Sequence, residues 1–181
     1  VSCGGKHSCC NVILATCEEG DEVIIPAPYW LSYPEMVKLA SAKPVILETT
    51  DRTEFKITPE QLRQAITPNT RLLIFNSPNN PTGTVFSSAA LHKLAELAQK
   101  HDLWVLSDEI YARIIYEREY VSMLSYPDMA ERTLVIDGFS KSFAMTGWRL
   151  GYTIAPPELV PHLLMLAVNS YTCVAEFLQY A

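Results

Sequence analysis

Five short runs of Val, Ile and Leu recur along the chain, at residues 23–25, 44–47, 72–75, 103–106 and 134–136. None alternates with polar residues. A strand with one wet face must alternate, so these runs read as strands buried on both faces of a parallel sheet. Residues 150–155 form a last strand candidate. Longer stretches with helical spacing separate the runs. Residues 88–100 put Leu91, Leu94, Ala95 and Ala98 on one stripe. Thr58-Pro59-Glu60-Gln61 is a capping box with proline in the first turn. Residues 5–17, 31–41, 158–168 and 171–181 also read as helices. Strand and helix in series predict an α/β fold, a mostly parallel sheet flanked by helices with right-handed crossovers. No internal linker or repeat interrupts it, so residues 1–181 read as one domain.

Composition removes several classes. Of 181 residues, 49% are hydrophobic, enough for a core and against disorder. The net charge of −6 gives no electrostatic footprint for nucleic acid or an anionic membrane. No run approaches the ~18 apolar residues of a membrane span. Five cysteines make a poor disulfide framework and read as reduced core thiols. Cys3, His7 and Cys10 could in principle share a metal, but no paired CxxC or HExxH pattern is present. No metal site is expected.

Ligands of such sheets bind beyond the carboxyl ends of the strands. Three consecutive strand ends are rich in polar residues. Asn76-Ser77-Pro78-Asn79-Asn80-Pro81-Thr82-Gly83 follows one, Ser107-Asp108-Glu109-Ile110-Tyr111 the next, and Asp137-Gly138-Phe139-Ser140-Lys141-Ser142 the third. They would deliver an amide, an acid with a phenol, and an amine to one crevice. Gly4-Gly5-Lys6, opening the first helix, offers free N–H groups to an anion. An amine, a carboxylate, a phenol and a phosphate cradle together suit pyridoxal 5′-phosphate held as a Schiff base. A nicotinamide enzyme is the usual alternative for this fold, but no GxGxxG follows any strand.

Asn80-Pro81-Thr82-Gly83, Ser107 to Tyr111, and the string from Ser140 to Tyr152 resemble the class I/II, fold type I pyridoxal-phosphate-dependent aminotransferases. The string from Pro28 to Met36 narrows the likeness to bacterial aspartate aminotransferases of the branch that also takes prephenate. The resemblance implies that Lys141 carries the cofactor and moves the substrate Cα proton. It implies that Asp108 pairs with the ring nitrogen, that Tyr111 and Asn80 bond the ring oxygen, and that Trp30 stacks on the ring. Gly5 and Lys6 backbone N–H groups, the Ser140 hydroxyl and Arg149 would hold the phosphate. Where some relatives have a second hydroxyl, three residues before the lysine, this chain has Gly138. Cis bonds are expected before Pro81 and Pro28. Structural alternatives stay open for each motif: a helix cap for Asp108, a plain turn at Asn80-Pro81, core packing for Trp30, a surface pair for Arg149. Glu109 and the Lys6 side chain read as bystanders.

The resemblance also implies an N-terminal segment and a C-terminal small domain that this sequence lacks, among them the arginine for the substrate carboxylate. Residues 1–181 are thus expected to be part of a large domain that transaminates poorly alone. The implied reaction is transfer of an amino group between an L-amino acid and a 2-oxo acid, aspartate with 2-oxoglutarate, in a cytoplasmic homodimer. Another reaction of the same cofactor, a carbon–sulfur lyase or a synthase, and a truncated non-catalytic cofactor-binding module are the alternatives.

Overall fold

The computed structural model describes residues 1–116 and 119–180. Six strands form one sheet: β1 (Glu22–Pro26), β2 (Lys43–Leu47), β3 (Thr70–Asn76), β4 (Trp104–Asp108), β5 (Thr133–Gly138) and β6 (Gly151–Ile154). Their spatial order is β2-β1-β3-β4-β5-β6. The first five are parallel, and β6 runs antiparallel to β5. The connections run through α1 (Gly5–Thr16), α2 (Ser32–Leu39), α3 (Pro59–Ala65) and α4 (Ser88–Lys100), with α5 (Val160–Tyr171) and α6 (Glu176–Gln179) after the sheet.

The unbroken apolar runs are explained by two cores. Val23, Ile25, Leu72, Ile74, Leu106, Leu134 and Ile136 face one side, against Cys9, Val12 and Ile13 of α1 and Met36 and Val37 of α2. Ile24, Leu73, Phe75 and Val105 face the other, against Leu62 of α3 and Leu91, Leu94, Ala95 and Ala98 of α4. Alternate side chains thus enter different cores, and neither face of the central strands meets water. The capping box closes as expected: Gln61 N–H donates to Thr58 Oγ1 at 3.2 Å, and Thr58 N–H donates to Gln61 Oε1 at 2.9 Å.

Two expectations need correction. Residues 171–181 do not form one helix. α5 runs on to Tyr171, Thr172 turns to φ 70°, and only Glu176–Gln179 is helical again, Ala181 lying outside the described residues. The cysteines are not all core: Cys9 and Cys17 are buried, Cys3 and Cys10 half-buried, and Cys173 exposed. Among the described residues, no helix is long and apolar enough to cross a membrane. Nor does any group of three His, Cys, Asp or Glu side chains come together there as a metal would require.

Candidate active site

The carboxyl ends of β3, β4 and β5 open on a cavity of about 270 Å³. Every residue expected from sequence lines it: Gly5, Lys6, Trp30, Asn80, Asp108, Tyr111, Ser140, Lys141 and Arg149. Tyr33, Asn76, Ile110 and Thr146, which the sequence reading passed over, line it too. Peptide bonds before Pro28 and Pro81 are cis, as expected, and so is the bond before Pro78.

The floor is Asp108, the last residue of β4, buried to 5% exposure. Its Oδ2 accepts a 2.5 Å hydrogen bond from the Tyr33 hydroxyl and a weak one from Cys9 Sγ at 3.9 Å. Its Oδ1 accepts from Ile110 N–H at 3.2 Å. Burial first, with the Asp137 and Glu109 charges adding to it, outweighs the pull of the Tyr33 and Ile110 bonds and raises the carboxyl to about 6. Burial, then the Asp108 charge, drives Tyr33 and Cys9 well above their ordinary ranges, so both remain protonated donors. A buried carboxylate with neutral donors and no cation is short of one opposite charge, which a protonated ring nitrogen would provide.

Asn76 couples this floor to the next strand end. Its amide donates to Asp108 O at 2.9 Å, and its Oδ1 accepts from Asn80 N–H at 2.7 Å. Asn79 braces the turn, its Oδ1 accepting from Thr82 N–H and Oγ1 at 3.2 and 2.8 Å. The Asn80 amide and the Tyr111 hydroxyl are thereby left facing the cavity, and among the described residues neither has a protein hydrogen-bond partner. Lys141 is exposed, its Nζ 5.6 Å from the centroid of the Tyr111 ring. The Lys6 ammonium, exposed to solvent, lies 5.0 Å from the Trp30 ring centroid at the cavity mouth, a cation–π contact.

The opposite wall is built by glycines. Gly138 of β5 pairs with Gly151 of β6. A Cβ on Gly138 would lie 2.9 Å from Leu150 O, and one on Gly151 would lie 2.8 Å from Gly4 C and Gly5 N. Side chains at either position would push β6 off β5 or α1 off β6. This close approach explains why the position three before the lysine holds no hydroxyl. Ser2 locks the contact, donating N–H to Gly151 O at 2.7 Å and accepting from Gly151 N–H at 3.0 Å. The N–H groups of Gly5 and Lys6 at the start of α1 are left free at the cavity, a ready anion site. Arg149 stands beside them with left-handed φ 54°, its guanidinium donating to Thr146 O and Cys3 O at 2.9 and 3.2 Å. Glu109 is no surface bystander. It is buried at the end of β4 and accepts from Ser107 Oγ, Ser122 Oγ and Met123 N–H.

The model of the family described as aminotransferase class I and II matches residues 1–181. An aspartate aminotransferase of Geobacillus stearothermophilus is 44% identical over 183 residues, which cover 100% of this chain and 47% of that protein. A bifunctional aspartate aminotransferase and glutamate/aspartate-prephenate aminotransferase of Petunia hybrida is 51% identical over 88% of this chain and 34% of its own length. Among solved structures, an aromatic aminotransferase from Pyrococcus horikoshii superimposes with a TM-score of 0.96 at 39% identity, over 99% of this chain and 48% of that one. An aspartate aminotransferase single mutant from Thermus thermophilus gives 0.95 at 42% identity, over 99% and 46%. The chain therefore spans about half the length of such relatives or less. Matched over its whole length in sequence and nearly so in backbone, the chain belongs to the class I and II aminotransferase family.

Proposed function

We propose that this chain is the cofactor-holding part of an aspartate aminotransferase, moving an amino group between aspartate and 2-oxoglutarate on pyridoxal 5′-phosphate. One observation carries the reading: a lysine, a buried carboxylate short of a cation, and an anion cradle line a single cavity. The donor set fits the cofactor end to end. The free N–H groups of Gly5 and Lys6, the Ser140 hydroxyl and Arg149 would hold the phosphate. Asp108 would pair with the ring nitrogen, and the unpartnered Asn80 amide and Tyr111 hydroxyl would bond the ring oxygen. Trp30 would cover one ring face.

Bound there, the cofactor supplies an electron-poor ring that takes up the electron pair left when a substrate Cα loses its proton. The protein's own contribution is placement and proton handling. Asp108, buried and ionised, would keep the ring nitrogen protonated. Lys141 would hold the cofactor through its amine and, with that amine free, would accept and return the substrate Cα proton. The Lys6 ammonium beside Trp30 offers an acidic side chain a counter-charge, consistent with aspartate. A cytoplasmic homodimer is part of the same proposal, supported by the likeness to aspartate aminotransferases.

The test is chemical. Pyridoxal phosphate is added to the purified chain, the product is reduced with borohydride, and the peptides are mapped. Label confined to Lys141 is the expected result. Label scattered over surface lysines, or none, would overturn the reading.

A further inference from the structure

Glu109 sits directly behind the cofactor aspartate and is used by nothing in the mechanism above. It is 6% exposed. Its Oε1 gathers three donors: Ser107 Oγ at 2.9 Å, Ser122 Oγ at 2.8 Å and Met123 N–H at 3.4 Å. The Tyr120 phenol lies close by, held protonated by burial first and by the Glu109 charge second. The Glu109 backbone N–H donates to Ile136 O at 2.8 Å, and its carbonyl accepts from Ala112 N–H at 2.8 Å. Those two bonds fix the turn that carries Tyr111. Successive strand residues point to opposite faces, so Asp108 turns toward Tyr33 and Cys9 while Glu109 turns toward the 120–123 segment. The fold thus buries two adjacent carboxylates, of which only one reaches the cavity.

Resting on the reading above, we infer that Glu109 is a positioning residue for the cofactor. It pins the strand end that presents Asp108 and Tyr111, and it adds a second fixed negative charge behind the Asp108 carboxylate. A structural clamp alone needs only an acceptor, which a glutamine supplies. Three donors on one carboxylate oxygen hold this acid in place directly behind Asp108. The other titratable groups facing Asp108 are Cys9 from α1, Tyr33 from α2, Asp137 from β5, and Tyr111 and Tyr120 from the segment after β4. Lys6, Lys141 and Arg149 line the same cavity, but among the described residues none of them forms an ion pair with Asp108 or Glu109.

The experiment measures pyridoxal phosphate affinity against pH for wild type, Glu109→Gln and Ser107→Ala, with thermal melting of each. Ionisation of Asp108 sets an acid-side midpoint for binding, and the phosphate's own ionisation is common to all three proteins. Glu109→Gln should move that midpoint down by a few tenths of a pH unit and weaken binding at neutral pH by about 2- to 3-fold. Ser107→Ala removes a donor whose dipole partly offsets the Glu109 charge and should move the midpoint up. Midpoints unchanged in both variants, or affinity lost only in step with melting temperature, would overturn the inference. Wild-type protein that takes up no cofactor would instead overturn the function on which it rests. If Glu109→Gln does not fold, the upward shift in Ser107→Ala still decides.

Discussion

The two ends of the cavity are built in opposite ways. At the acid end, Asp108 is buried and hydrogen-bonded through both oxygens, and its neighbours Tyr33 and Asn76 are buried as well. At the amine end, Lys141 and most residues through Arg149 are exposed, and the segment holds only one short 3-10 turn, at Thr146–Trp148. Folding alone determines the first end, while the second has few contacts to hold it. The acid is a costly group that the core must support. The lysine has to be free to join the cofactor and leave it, so little packing holds it.

The sharpest way to break this comparison is at the amine end. Lys141→Ala should abolish borohydride-fixed cofactor completely, yet change unfolding free energy by no more than about 0.5 kcal/mol, as for an exposed side chain. A large loss of stability would show that the amine end is packed after all. Asp108→Asn should weaken cofactor binding about a hundredfold or more at neutral pH, since the ring cation loses its buried partner. Without cofactor the same change should stabilise. The folded carboxyl sits near 6 against an ordinary 3.8, so the folded state holds the proton more tightly. Wild-type stability should therefore fall relative to Asp108→Asn as pH rises from about 4 to 6, by roughly 3 kcal/mol in denaturant titrations. Equal slopes for the two proteins would contradict it.

Gly151→Ala probes the wall shared by both ends. Its Cβ would lie 2.8 Å from the Gly4 and Gly5 backbone, so a loss of about 1–3 kcal/mol and a weaker phosphate grip are expected in melting and binding assays. Tyr33→Phe should have the smallest effect. It removes one bond to Asp108 and should raise the acid-side midpoint for cofactor binding, costing about 1 kcal/mol in affinity. An unchanged midpoint would mean that Tyr33 only fills space.

The sheet was legible because strands buried on both faces leave a continuous apolar signature, and its helices because their caps and stripes are local. The direction of β6 was not: a strand's sense depends on its connection, and residues 139–150 carry the lysine string with no crossover helix. The break at Thr172 left no mark, since nothing in its residue type calls for a left-handed turn. In the site, motif residues were legible one by one. Tyr33 and Asn76 were missed because their partner, Asp108, is distant in sequence, although Tyr33 follows Trp30 at a spacing that shares a helix face. Glu109 reads as a bystander in sequence because two of its donors, Ser122 and Met123, arrive from a later segment.

The contact of Gly4 and Gly5 with Gly151 has a consequence for how the molecule assembles. It joins the start of α1 to a strand nearly a whole chain away, across all five parallel strands in sequence. The phosphate cradle is therefore not seated until β6 has joined the sheet, and its formation waits on a long loop closure. Cofactor capture should thus come late on the folding pathway. A colour change on adding pyridoxal phosphate to refolding protein would time this long-range step rather than the first collapse.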